Sequence, residues 1–399
     1  MGTRARGSAL EVFRVFLTLG MTSFGGPVAH LGYFRAELVE RRKWIDDQAY
    51  ADLVALCHFL PGPASSQVGF GIGLHRAGLR GALAAFLAFT LPSAALMIGF
   101  AYGASLLTGP IGQGLLSGLK IVAVAIVAQA VLGMAQSLAP DRQRAAIAVV
   151  AAVAALLIGG AGGQIAAIVL GVAAGSLFCR TPAATATAHL RFPIRRGLSV
   201  ACLSVFAVLL LGGPLLAAVT GSSRLVLFDA FYRAGALVFG GGHVALPLLQ
   251  AGVVAPGWVS DPDFLAGYGA AQALPGPLFA FAGYLGAISQ VGPGGIGGAL
   301  IALAGIFLPG FLLLIGVLPF WNSLRPRAGA QAAMRGANAA VVGILAAALY
   351  TPVFSTAVTG PGSFVLALAC FVLLVAWRLP PWIVVIAGAA GGVLLTLIA

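Results

Sequence analysis

Charge is what this sequence has least of. Only 8% of its 399 residues are Asp, Glu, Lys or Arg, with 10 acidic residues against 22 basic ones. A soluble domain carries about 25% charged residues, so a water-covered surface along the whole chain is excluded. Cysteine is also scarce. Cys57, Cys179, Cys202 and Cys370 stand far apart with no CxxC spacing, so neither a disulfide framework nor a thiolate metal site follows. The five histidines form no HxxxH pair. There is no nucleotide-binding loop, metalloprotease motif or nucleophile elbow. No acid, base and nucleophile are clustered, so no enzyme is expected, and no cofactor or metal.

What is present is apolar. The chain is 60% hydrophobic, with a mean hydropathy of +1.04. Runs of roughly 20 apolar residues, enough to span a bilayer, recur from end to end. They lack the period-2 alternation of a transmembrane β-barrel. The expected fold class is an all-α polytopic membrane protein in a lipid bilayer. Most of the 56 glycines read as close-packing residues between helices. The net charge of +12 does not point to nucleic acid, because the arginines lie in short loops between apolar runs. The basic start MGTRARGSAL, with Arg14 early in the following run and no clear cleavage site, predicts a retained helix.

The sequence repeats itself. FGGPVAHL from Phe24 matches FGGGHVAL from Phe239. WIDDQAYADLVALCHFLPGP from Trp44 matches WVSDPDFLAGYGAAQALPGP from Trp258, with the same spacing from Trp to LPGP. Leu91-Pro92 matches Leu308-Pro309, and SGLKIVAV from Ser117 matches RGANAAVV from Arg335. Two homologous halves are expected, 8–180 and 224–399, joined by a basic linker, 181–223, that contains the apolar run 198–219. Loops that are basic in one half are bare in the other. Arg76 and Arg80 face uncharged QVGPGG at 290–295; Arg142 and Arg144 face an uncharged stretch at 351–361; Arg325 and Arg327 face an uncharged stretch at 107–113. The link carries Arg180, Arg191, Arg195 and Arg196. Under the positive-inside rule the halves are inverted, and 198–219 is a single crossing that flips the second. Each half is then expected to hold two helix–break–helix units and about four ordinary spans, about thirteen apolar segments in all. The first units turn near Phe24 to Pro27 and near Phe239 to Gly241.

Both LPGP copies interrupt apolar helix. Proline clashes with the preceding turn and supplies no N–H. An unpaired backbone group in hydrocarbon costs several kcal/mol. Such breaks are tolerated where they line a cavity or are buried in protein, and a helix restarting there presents free N–H groups suited to an anion. Candidate site residues are therefore Gly25, Gly26, Pro61, Gly62 and Pro63 in the first half, and Gly240, Gly241, Pro275, Gly276 and Pro277 in the second. After the first LPGP, Ser65, Ser66 and Gln67 offer donors; the second copy has LFAF there, so the first half is expected to supply more polar contacts. A tight loop between packed helices is the plainer alternative. Lys120 lies well inside an apolar helix, and its counterpart Asn338 is one turn from Arg335. Arg233 precedes FGGG, His30 follows FGGP, and His243 follows FGGG. Ionisable residues inside a membrane mark pathways. Snorkelling to the interface would equally explain Arg233 and Arg335, and bonding within the bundle would explain the histidines. Asp47 and Asp261 are expected to be helix caps. No buried carboxylate chain is expected, so proton coupling would fall to His30, His243, Glu37 or Glu40.

These residues resemble the chromate ion transporter family in its long, two-domain form. FGGPVAHLGYF, RRKWIDDQAYADLVALCHFLPGP, FGGGHVALP and ALPGP occur in order over nearly the whole chain. The resemblance implies a multi-pass protein of the bacterial inner membrane that exports chromate and confers chromate resistance, with sulfate as the similar competitor. It marks Phe24, Gly25, Gly26, Pro27, His30, Leu60, Pro61, Gly62 and Pro63, then Phe239, Gly240, Gly241, Gly242, Pro275, Gly276 and Pro277 as motif positions. A general oxyanion transporter, an anion channel and a homodimeric state stay open.

Overall fold

Ser8 starts the first helix, its hydroxyl accepting the Glu11 N–H at 3.1 Å. In the computed structural model, which describes residues 7–104, 106–180, 192, 194–239, 242–324 and 327–398, the described residues form helices and turns with no strand. Gly240, Gly241, Arg191 and Arg325, singled out above, lie outside the described residues. The first half runs α1 (Ala9–Thr22), α2 (Gly26–Phe34) with a π-turn at Arg35–Arg41, α3 (Asp47–Phe59), α4 (Ala64–Ala104), α5 (Gly109–Leu138), α6 (Arg142–Ile158) and α7 (Gly160–Phe178). The apolar run 198–219 lies in α8 (Arg196–Thr220). Then follow α9 (Ser223–Leu237), α10 (Ala245–Leu249), α11 (Asp261–Ala271), α12 (Phe281–Ile288), α13 (Gly295–Val317), α14 (Trp321–Leu324), α15 (Ala328–Ala348), α16 (Ser355–Ala357), α17 (Pro361–Val375) and α18 (Pro381–Ile398).

Seven helical stretches among the described residues are long and apolar enough to cross a bilayer. The protein is thus an all-helical, multi-pass membrane protein. The helix α4 is two helices joined at a kink, where Ala77 and Gly78 leave helical geometry and Gly78 takes φ +65°. Only glycine adopts that conformation without strain. Two caps differ from expectation. Asp46 and Ser260, not Asp47 and Asp261, cap α3 and α11, because a cap must still be extended to accept the N–H two or three residues on. Asp47 stands one position inside the helix and pairs with Arg35 at 2.8 Å.

The packing exchanges elements between the halves. In the first half α1 lies along α4; in the second, α9 lies along α13. Beyond these, α5 packs on α17 and α18 from the far end of the chain, and α15 packs on α6 and α7 from the first half. Glycine allows both contacts. Gly118 of α5 meets Gly388 and Gly392 of α18, and its repeat counterpart Gly336 of α15 meets Gly171 and Gly175 of α7. Small residues let membrane helices approach backbone to backbone.

A Cβ on Gly336 would fall 2.6 Å from the Gly175 Cα, whereas one on Gly133 of α5 would meet nothing within 4 Å. Gly336→Ala is therefore expected to lower stability by about 1–3 kcal/mol, the range for overpacking. Gly133→Ala should be neutral or gain up to ~1 kcal/mol of helix propensity. Thermal melting of both variants in detergent checks this pair.

Candidate functional site

The helix breaks bond to one another across the two halves. The Gly62 N–H, in the first LPGP, donates to the Val238 carbonyl at 2.7 Å, just before Phe239 of FGGG. The Gly276 N–H, in the second LPGP, donates to the Ser23 carbonyl at 2.9 Å, just before Phe24 of FGGP. Each interruption leaves donors and acceptors that its own helix no longer pairs, and the matching interruption of the other half supplies the partner. This corrects one expectation: the Gly62 and Gly276 N–H groups do not wait for an anion. In a low-dielectric interior the nearest orphan carbonyl takes them.

Glycine is required at both crossings. Gly62 has φ +121° and Gly276 φ +90°. A Cβ on Gly62 would stand 3.0 Å from the Gly310 Cα, and one on Gly276 would stand 2.9 Å from the Ser93 Oγ. Gly310 and Ser93 hold matching places, each directly after the Leu-Pro pair inside α13 and α4. Pro61 and Pro63, like Pro275 and Pro277, flank the bonded glycine. Gln67 ties the first crossing down, its amide nitrogen donating to the Pro61 carbonyl at 3.1 Å and the Gly310 carbonyl at 2.9 Å. Between α4 and α13 an aromatic cluster fills the centre, with Phe70 stacked on Phe311 at 4.4 Å and Phe86 against both Phe307 and Phe311.

The polar residues divide between the two crossings. Ser65, Ser66 and Gln67 are buried. His30 is buried as well and shares a 3.3 Å contact from Nδ1 to the Ser65 Oγ, with its ring edge-on to Phe89. In the second half His243 Nδ1 and the Tyr268 hydroxyl share a 2.8 Å hydrogen bond.

Beside the second crossing lies a cavity of about 220 Å³, lined by Gly25, Gly26, Gln129, His243, Gln272 and Gly276 among others. At ~30 Å³ per water it holds about seven water volumes. The Gln272 side-chain nitrogen is buried beside the Tyr268 hydroxyl and meets no acceptor at good hydrogen-bond geometry. A buried donor without an acceptor costs about 1–3 kcal/mol, so this wall lacks an acceptor that a ligand could supply. The Gln129 amide nitrogen makes only a long 3.4 Å bond to the Leu374 carbonyl. Neither glutamine was singled out from sequence. Gln272 sits two residues before LPGP, where the first copy has His58, and that placement was the available signal.

Other expected residues lie elsewhere. Lys120 is half-buried on α5, about 2.5 turns before Gln129, and does not line this cavity. Asn338 keeps a buried Oδ1 with no partner. Arg335 folds back along α15, donating to the Gln331 carbonyl at 3.3 Å and its Oε1 at 3.1 Å. Arg233 pairs with Asp229 at 3.1 Å in a separate cavity of about 370 Å³. The structure thus brings Gly25, Gly26, His243 and Gly276 to one place. It also buries Asp52 of α3, only 4% exposed, an interior carboxylate that sequence reading did not anticipate.

An all-helical membrane protein whose interruptions border a polar cavity has the build of a solute transporter rather than an enzyme. The chain belongs to the chromate transporter family, whose profile matches residues 10–177 and again 225–393. It is 29% identical to the chromate transport protein of Pseudomonas aeruginosa, over 84% of this chain and 79% of that one. It is 28% identical to the chromate transport protein of Cupriavidus metallidurans, over 95% and 91%. The probable chromate transport protein of Synechococcus elongatus is 28% identical over 86% and 84%. No solved structure matches the chain.

Gln67→Leu removes the donor from two carbonyls at the first crossing. It is expected to cost about 1–3 kcal/mol for each carbonyl left unpaired. Unfolding in graded denaturing detergent, compared with Gln143→Leu on the exposed face of α6, measures the loss.

Proposed function

We propose that the protein carries chromate out of the cytoplasm, across a bacterial inner membrane, by alternating access. The observation that carries this reading is the cavity beside the Gly276–Ser23 crossing, with its buried Gln272 amide donor and the backbone of Gly25 and Gly26. A tetrahedral dianion suits such a wall, because amide donors and the start of a helix stabilise anionic oxygens. Moving one charge across 100 mV is worth ~2.3 kcal/mol, so an inside-negative cell drives a dianion outward by about 4.6 kcal/mol. The potential is thus sufficient against a modest gradient, and a proton gradient would add to it.

The opposite basicity of matching loops supports an inverted arrangement of the two halves, 8–180 and 224–399, with α8 crossing between them. The exchange of outer hairpins changes which bodies would move. Because α17 and α18 pack on α5, and α6 and α7 on α15, the sequence halves are not the rocking units. The proposed movement is of these two mixed bundles against the core of α1, α4, α9 and α13, opening the cavity to either side. His30 and Ser65, buried beside the break-bearing helices, hold the core in register.

Purified protein in sealed liposomes, with an imposed potential, tests the reading. Saturable chromate flux that follows the potential and is little inhibited by excess sulfate is the expected result. Equal inhibition by sulfate would make the protein a general oxyanion carrier, and flux without saturation would make it a channel. Gln272→Leu is expected to reduce flux at least tenfold, the loss of about 1.4 kcal/mol of differential binding. Lys120→Ala, outside the cavity, should reduce it less. The reverse order would place the site at Lys120.

A further inference from the structure

We infer that the large cavity along α1 is an anion vestibule serving the break-lined site, and that Arg14 selects for charge within it. Its cargo rests on the carrier reading above; its existence does not. The cavity measures about 720 Å³ and runs from Arg41 and Arg42 at the π-turn along one face of α1. That face is unusual for a membrane helix. Arg14, Thr18 and Thr22 recur every fourth residue, so they stand in one row, and all three are exposed. Thr18 donates to the Arg14 carbonyl at 3.2 Å and Thr22 to the Thr18 carbonyl at 2.8 Å, which leaves their oxygens open to water. The row ends at the break. Thr22 lines the vestibule, and Gly25, three residues on, lines the central cavity. Three residues span at most about 10 Å.

Charge in the vestibule is unequally neutralised. Arg41 and Arg42 both pair with Glu37, at 2.8 and 2.6 Å, and Glu11 pairs with Arg76 at 3.1 Å. Arg14 has no acidic partner among the described residues. A guanidinium facing hydrocarbon is costly; one facing a wet concavity beside low-dielectric walls concentrates anions there. Its fork also matches an oxyanion better than an ammonium does.

The second half supplies an internal comparison. Its matching cavity, of about 370 Å³, is lined by Asp229 and Arg233 at the positions of Arg14 and Thr18. There the two charges cancel in a 3.1 Å pair, and Gln164 of α7 and Pro214 of α8 complete the lining. The two matched cavities therefore differ in charge and in volume. The larger, basic one gathers the dianion, and the smaller, neutral one does not hold it back.

The full chain tests this through a thiol at the inner end of the row. All four native cysteines are buried, so Thr22→Cys provides the reactive site. Relative to a free thiol, a sulfonate-bearing thiosulfonate reagent should modify it about tenfold faster than a trimethylammonium-bearing one. Chromate should slow the reaction, and adding Arg14→Gln should abolish the preference. In liposomes Arg14→Gln should raise the KM for chromate about three- to tenfold with little change in maximal rate, and Arg14→Lys, which keeps the charge but not the fork, should recover part of the affinity. No reaction with either reagent, a preference for the cationic one, or an unchanged KM would overturn the vestibule. If Arg14→Gln does not fold, the reagent preference of Thr22→Cys alone decides. A chain that labels as expected but moves no chromate rejects the transport reading and leaves the anion vestibule standing. One that moves chromate but does not label rejects the vestibule alone.

Discussion

A backbone N–H in a membrane interior must find an acceptor, and the rest of this structure follows from how that is met. Four interruptions break the apolar helices. Left alone, each would strand polar groups at several kcal/mol apiece. The Gly62 bond to Val238 and the Gly276 bond to Ser23 pair them crosswise, so each half completes the other. Glycine at 62 and 276, proline on either side, and the small residues Gly310 and Ser93 opposite are the conditions under which two backbones come that close. The cavity beside Gly276 is a by-product of the crossing: backbone that turns away from helix leaves room, and polar side chains such as Gln272 and His243 occupy its wall.

The same crosswise logic recurs further out. The glycine pairs Gly118 with Gly388 and Gly336 with Gly171 bind each half's outer hairpin to the other half's long helix. Neither half is a free-standing unit in this arrangement. Duplication kept the framework and released the lining: Gln67 ties the first crossing, while Leu278, Phe279 and Phe281 make the second apolar on that side.

Much of the fold was legible in the sequence. Apolar run length gave a multi-pass helical protein, and the two LPGP motifs fall between described helices, after α3 and after α11. What the interruptions bond to was not legible. Gln67 reaches Gly310 across 243 residues, and no local pattern encodes that contact. The exchange of hairpins was hidden for the same reason, since glycines on α5 and α18 look alike whichever helix they meet. Lys120 drew attention by its cost in a membrane, yet half-exposure on α5 leaves it away from the cavity, whereas the uncharged Gln272 and Gln129 carried no such signal. Asp52 was overlooked because its segment, rich in Asp and Tyr, reads as surface, although packing of α3 against α4 buries it.

The most direct measurement is anomalous diffraction at the chromium edge from crystals grown with chromate. The account predicts a chromium peak in the cavity bordered by Gly25, Gly26, Gln272 and Gly276, with the Gly276 and Ser23 crossing intact. A peak beside Lys120, or an occupied site reached by breaking that crossing, would contradict it.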